Sequence, residues 1–195
     1  MKNKVVLAVA IFFIFNIGIQ AQKLEYDIIW LGKIGKLSIT KTLQDNALII
    51  ETNSEVKIPL YRFNWITKTK SIDGMLSSSN YRQLLNQKKR EGSDINFITQ
   101  NSWQFTNSEG EQETIEIKDH FYVSKLYYEE PREEKFIFSE RFGKSLEIIN
   151  LGGGHYKLLL PEENYCEYFY EDGICKTVKA KNGNRTIKMV LFQGT

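Results

Sequence analysis

The sequence predicts a mainly β chain, an antiparallel meander that forms a strongly curved sheet or open barrel. Three observations predict it. Segment after segment alternates apolar and polar residues, the mark of half-buried strands. Tight-turn signals separate the segments, among them Asp73-Gly74, Asp172-Gly173 and Asn182-Gly183, and such pairs suit the positive φ angles of a two-residue hairpin. The chain holds 10 tyrosines, 3 tryptophans and only 3 prolines, a composition that favours strands over helices. A long meander must curl or fold over to bury its apolar face and hide its edges.

The first residues stand apart from this pattern. Lys2 and Lys4 precede an apolar run from Val5 to Phe15, then Gly18, Ile19 and Ala21. A short basic stretch, an apolar run and a small residue make a secretory signal peptide, with cleavage after Ala21. An uncleaved anchor is the alternative, but the run is shorter than the roughly 20 residues a spanning helix needs. No cysteine stands directly after the cut to carry a lipid anchor, and no later segment is apolar enough to span a bilayer. Residues 22–195 are expected to form one domain. The formal net charge of +2 falls to zero once Lys2 and Lys4 are removed. A neutral chain lacks the electrostatic footprint of a nucleic-acid binder and has no strong overall field for anionic membranes. Export is the expected localisation, with the periplasm as the leading destination and the extracellular space as the alternative.

The elements follow in order. Leu24–Trp30 and Lys36–Leu43 alternate as strands. Asp45-Asn46 turns the chain, and Ala47–Ile58 runs to Pro59. Leu60–Ile72 carries Tyr61, Phe63 and Trp65 at period two, which puts three aromatics on one face. Leu76–Lys89 fits a strand, although Tyr81, Leu84 and Leu85 also suit one helix face. Its tip is expected at Lys88–Gly92. Ile95, Phe97, Trp103 and Phe105 mark the returning strand and its neighbour, Ser108–Gly110 a hairpin tip, and Thr114–Ile117 a short strand. One helix is expected near 119–130, capped by Asp119 and ended by Pro131. Strands then resume at 135–140, 145–151, 155–160, 165–171, 174–180 and 186–192.

Few residues point to chemistry. Cys166 and Cys175 flank the Asp172-Gly173 turn, and a two-residue hairpin pairs Tyr170 with Cys175 and Cys166 with Lys179. The sulfurs then lie about 13 Å apart along the ladder, beyond the ~7 Å reach of a disulfide. Both thiols are expected to be free. His120 and His155 have no second ligand at metal spacing, and Gly152-Gly153-Gly154 precedes a strand, not the helix a phosphate loop needs. Glu129, Glu130, Glu133 and Glu134 are interleaved with Arg132 and Lys135, as on a solvated surface. No catalytic group, metal site or cofactor is expected. The aromatics carry more: Trp30, Tyr61, Phe63, Trp65, Trp103 and Phe105 are either core filling or the lining of a concave apolar site.

The stretch Tyr26–Leu37, with Tyr127–Pro131, Phe138–Glu140 and Tyr168–Gly173, resembles an uncharacterised family of small secreted envelope proteins from Bacteroidota-type bacteria, a domain of unknown function. The resemblance implies an envelope location and a β-rich fold, and it supplies no activity. In architecture the chain is also similar to the curved half-barrels of periplasmic lipoprotein carriers. The leading expectation is a non-enzymatic envelope protein that binds an apolar small molecule on the concave face of its sheet. The alternatives are an interaction module that adds an envelope protein to a sheet edge, and an enzyme of unidentified class.

Overall fold

The computed structural model describes residues 20–99 and 101–192. The expected signal peptide therefore lies outside the described residues, except for Gln20 and Ala21, which pair with Leu43 and Thr42 in the first strand.

Eight strands come first: β1 (Gln20–Ile29), β2 (Lys33–Gln44), β3 (Ala47–Ile58), β4 (Tyr61–Ile72), β5 (Met75–Leu85), β6 (Lys88–Thr99), β7 (Ser102–Thr106) and β8 (Gln112–Ile115). Six more follow: β9 (Phe136–Ser139), β10 (Lys144–Gly152), β11 (His155–Leu159), β12 (Tyr165–Glu171), β13 (Ile174–Asn182) and β14 (Arg185–Leu191). All belong to one antiparallel sheet of order β8-β7-β6-β5-β4-β3-β2-β1-β14-β13-β12-β11-β10-β9. The chain meanders outward from β1 to β8, crosses to the far edge at β9, and meanders back until β14 pairs with β1. Tyr26↔Leu191 and Ile28↔Met189 form that seam. The sheet is an open barrel with β8 and β9 as its free edges.

The segment between those edges fills the interior. The expected helix near 119–130 is instead a single 3-10 turn, Val123–Tyr127. The cause is burial on every side. Phe121, Tyr122, Ser124, Leu126 and Tyr128 are all buried, and no residue from 121 to 131 is exposed, so the segment has no solvent face of the kind a surface helix keeps. Asp119 does not cap the turn; its carboxylate accepts the Ser145 hydroxyl. The turn is tied down from three walls. Tyr122 donates to Ser71 Oγ at 3.0 Å, Tyr128 to the Ile39 carbonyl at 2.8 Å, and Tyr170 to the Leu126 carbonyl. Burial pushes the Tyr122 and Tyr128 hydroxyls up to about 12, so both remain donors at any physiological pH.

Two apolar clusters pack around this plug. One is built on β1–β7 around Tyr26, Ile39, Ile50 and Ile95. The other is built on β9–β13 around Ile137, Leu158, Tyr168 and Val178. Tyr127 of the plug packs against both. Tyr26 links the two halves directly, donating to the Cys175 carbonyl at 2.7 Å. Tyr26→Phe is expected to destabilise the protein by about 1–2 kcal/mol, the net loss of one buried hydrogen bond. Urea unfolding measures it, and an unchanged midpoint would show that this link contributes nothing.

Two local expectations need correction. The β5–β6 tip is Asn86-Gln87, at φ 48° and 67°, not Lys88–Gly92. Gly92 lies within β6, where an added Cβ would come within 3.0 Å of the Tyr81 carbonyl oxygen. It serves close strand approach, and Asn86 supplies the positive φ. In the β12–β13 hairpin, Tyr170 pairs with Cys175 as expected, but a bulge beyond it shifts the register, and Cys166 faces Ala180.

Candidate functional site

Between the plug and the curved sheet lies a cavity of about 310 Å³. Alternation along the strands builds it, because inward positions recur every second residue. One wall comes from β3–β5: Thr52, Ser54 and Val56, then Trp65 and Thr67, then Tyr81. The opposite wall is apolar, with Ile187 and Met189 of β14, Ala180 of β13, and Leu158 and Leu160 on and beyond β11. Val123, Ser124 and Tyr127 of the plug form the floor, and the β9–β10 turn contributes Glu140, Arg141 and Phe142.

The charged groups in the lining are already matched. Arg141 grips Glu91 with two parallel bonds, Nε to Oε1 and Nη2 to Oε2, both 2.7 Å. That fork is the strongest pairing available to a guanidinium, and Glu91 holds Arg141 above its ordinary range against the opposing effect of burial. Glu140 is 3 % exposed. Its carboxyl accepts the N–H groups of Val123 and Ser124 at 3.1 Å and the Thr69 hydroxyl at 3.3 Å. Burial raises it above the usual carboxylate range. Glu140 therefore caps the 3-10 turn from the end of β9, whose Phe138 already bridges Tyr122, and its own carbonyl accepts the Ser93 hydroxyl at 2.8 Å. With Arg141–Glu91, these bonds join the β9–β10 turn to β4 and β6 where no backbone ladder does.

One hydroxyl in the wall is unmatched. Ser54 is 6 % exposed, and its Oγ has no hydrogen-bond partner. The Ser124 Oγ is similar: it lies beside the Glu140 carboxyl without completing a bond of normal geometry. A buried hydroxyl without a partner costs about 1–3 kcal/mol, and such groups in a native fold call for an explanation.

The six aromatics singled out in the sequence divide by position. Trp65 lines the cavity. Phe63 stacks on it with ring centres 5.8 Å apart, and Tyr61 follows at 6.2 Å. The three form a ladder from the half-exposed Tyr61 at the rim to Trp65 inside. Trp30 stands at the β1–β2 corner under the Arg185 guanidinium, 5.7 Å from its ring. Trp103 and Phe105 belong to the core: Trp103 donates its indole N–H to the Leu76 carbonyl at 2.7 Å, and Phe105 packs on Gly143. Sequence reasoning passed over Ser54, Glu140 and Arg141. An inward serine among apolar residues was the legible signal for Ser54; the partners of the other two are distant in sequence.

The remaining candidates lie elsewhere. Cys166 lines the cavity and Cys175 is in the core; both are free thiols, pushed up to about 12 by burial. His155 stacks on Phe169 and faces Glu167 at 3.6 Å, while the His120 carbonyl accepts the Lys125 ammonium. Glu130 pairs with Arg132 and Glu129 with Lys41. Among the described residues, no three His, Cys, Asp or Glu side chains are grouped to hold a metal, and no helix is long and apolar enough to cross a membrane.

No curated protein matches this chain. In fold it is similar to a crystal structure described as a β-barrel-like protein of domain of unknown function DUF1849 from Brucella abortus. The TM-score is 0.53 at 9 % identity, over 88 % of this chain and 95 % of that one. That likeness concerns the fold alone. The profile of the family described as Domain of unknown function (DUF6134) matches residues 26–191, the span from β1 to the last residue of β14, and the chain belongs to that family.

Proposed function

We propose that the protein binds a small, mostly apolar molecule inside the half-barrel, with one hydrogen-bonding group of the ligand meeting Ser54. The unpartnered Ser54 hydroxyl in the wall of a 310 Å³ cavity carries this reading. Small-molecule sites are mostly apolar, with few convergent polar groups, and span about 300–1,000 Å³. Arg141 and Glu140 are committed to protein partners, so they leave no free charge for an ionic ligand group deep inside. The Tyr61–Phe63–Trp65 ladder supplies an apolar path from the rim. On this reading the chain works after export, in the periplasm, an expectation that rests on the leader-like residues 1–21. The function is carriage or sensing of the ligand, not chemistry upon it.

Ser54→Ala is the diagnostic variant. Removing the unmatched hydroxyl is expected to stabilise the free protein by about 1 kcal/mol and to weaken binding of a ligand with a hydrogen-bonding head. Ala180→Trp fills the cavity and is expected to lower affinity for the uncharged fluorophore N-phenyl-1-naphthylamine at least about tenfold. Thermal melts of both variants establish that they fold. Saturable one-to-one probe binding by the wild type, lost in Ala180→Trp, supports the reading; equal binding by a folded Ala180→Trp removes it.

The alternative, a partner strand added at an open edge, has less support. The exposed edge β8 is four residues long and carries Glu113, and short, charged edges are the kind that resist pairing.

A further inference from the structure

Antiparallel connectivity sorts the hairpin turns into two ends. The β1–β2, β3–β4, β5–β6, β7–β8, β9–β10, β11–β12 and β13–β14 turns share the end at which Tyr61 and Trp30 stand, the mouth of the cavity. The β2–β3, β4–β5, β10–β11 and β12–β13 turns share the other.

The two ends differ in kind. At the mouth, Leu31 is 96 % exposed and Leu60 is 89 % exposed, the two most exposed large apolar side chains among the described residues. Each sits at the tip of its turn with positive φ, 54° for Leu31 and 69° for Leu60. Pro59-Leu60 has the form of a type II turn, whose second central residue is ordinarily glycine or asparagine. A leucine there pays for its conformation and gains no contact within the chain. Two such leucines on neighbouring odd-numbered hairpins, roughly 10 Å apart by strand spacing, stand beside Trp30 and the half-exposed Tyr61.

Basic side chains surround them. Lys88, Lys89 and Arg90 open β6 directly after its turn, and Lys181 and Arg185 flank the β13–β14 turn. None of these five takes part in an ion pair among the described residues. Glu162 and Glu163, with Glu109 and Glu111 of the β7–β8 turn at the same end, offset much of this charge. At the opposite end the turns carry Asp45, Asp73, Glu171 and Asp172, with Lys70 and Lys176 three residues from their tips.

We propose that the mouth of the half-barrel docks on an anionic lipid surface, with Leu31 and Leu60 entering the interfacial layer and the basic rim meeting the headgroups. Apolar tips ringed by cations match such a surface in both chemistry and sign, and the acidic far end orients the molecule mouth-down. The proposal deepens the ligand-binding reading and rests on it for its purpose: a docked mouth lets an apolar molecule pass between bilayer and cavity without crossing water.

Vesicle co-sedimentation tests it, using the chain purified from a secreting host with its leader removed. The probes are phosphatidylcholine vesicles with and without phosphatidylglycerol. Binding is expected only with phosphatidylglycerol, and it should weaken with salt. Each cation removed should cost about fivefold, so Lys88→Gln, Lys89→Gln and Arg90→Gln together should cost about a hundredfold. Leu31→Asn with Leu60→Asn keeps the charge, and asparagine accepts positive φ, so the fold should stand while binding falls at least about tenfold. No binding, equal binding to both vesicles, or wild-type binding by either variant overturns the proposal. Probe titration without vesicles separates the two readings: intact probe uptake with failed vesicle binding sinks docking alone, and vesicle binding without probe uptake sinks the cavity alone.

Discussion

Replacing Glu140 with alanine is expected to cost the fold about 3–5 kcal/mol, the largest effect of any single substitution outside the apolar clusters. Its carboxyl receives two backbone N–H groups of the plug and the Thr69 hydroxyl. Alanine strands the two N–H groups, at about 1–3 kcal/mol each before water or relaxation helps, and leaves the Thr69 hydroxyl only Ser79 as a partner. For a chain of this length that corresponds to a drop in Tm of roughly 6–20 °C. Glu140→Gln keeps an acceptor for some of these donors and should cost clearly less. The same residue gives a pH signature. Burial raises its folded-state pKa above the ordinary 4.5, so the folded chain holds this proton more tightly than the unfolded chain. The stabilisation is complete below the ordinary value and is lost as pH rises through the raised one. Wild type should therefore lose its advantage over Glu140→Gln as pH rises across the range above the ordinary carboxylate value. Exposed carboxylates such as Glu25 are held low by lysine neighbours and push the other way, but they cancel in the difference between the two proteins. A constant difference across that range would show that Glu140 is not titrating as a buried acid.

Gly143→Ala is the second large effect, at about 2–5 kcal/mol. Gly143 has φ +63°, and an added Cβ would lie 2.5–2.8 Å from the Phe105 ring. Alanine meets a backbone penalty of about 1–2 kcal/mol and an overpacking penalty of about 1–3 kcal/mol. The ring cannot swing aside, because Phe105 is part of the core around Trp103. Phe105→Leu should relieve the second penalty but not the first. The double variant should then be more stable than the sum of its parts by about 1 kcal/mol. Additive costs in urea unfolding would mean that Gly143 and Phe105 do not press on each other, and that the β9–β10 turn seats itself differently on β7.

The residues that were legible in the sequence are those whose structure depends on near neighbours. Ala47–Ile58 and Tyr165–Glu171 carry their own alternation, and both match the observed strands residue for residue. Asp73-Gly74 and Asp172-Gly173 turn with both φ angles positive, as their side chains favour. What could not be read is what depends on distant partners. Nothing in Tyr26 or Ile28 announces that β1 pairs with β14. The 3-10 turn is short because surfaces from β3, β9 and β13 close around it, a fact about residues far away in sequence. Lys88–Arg90 read as a solvated tip because Gly92 looked like a turn; the register of β5 with β6 puts the tip at Asn86-Gln87, and the three cations fall on the rim. The aromatic signal mixed two roles, since period two marks the inward face but not whether that face meets packed core, as at Trp103, or open cavity, as at Trp65.

The ligand cavity is the centre of the account, and mass analysis of the protein from its own source tests it most directly. Native mass spectrometry of the purified chain, followed by organic extraction, should reveal one apolar or amphipathic molecule per chain, reduced or absent in folded Ala180→Trp. A ligand-free wild-type mass, together with no uptake of N-phenyl-1-naphthylamine, would contradict the account and leave the interior as imperfect packing around Ser54.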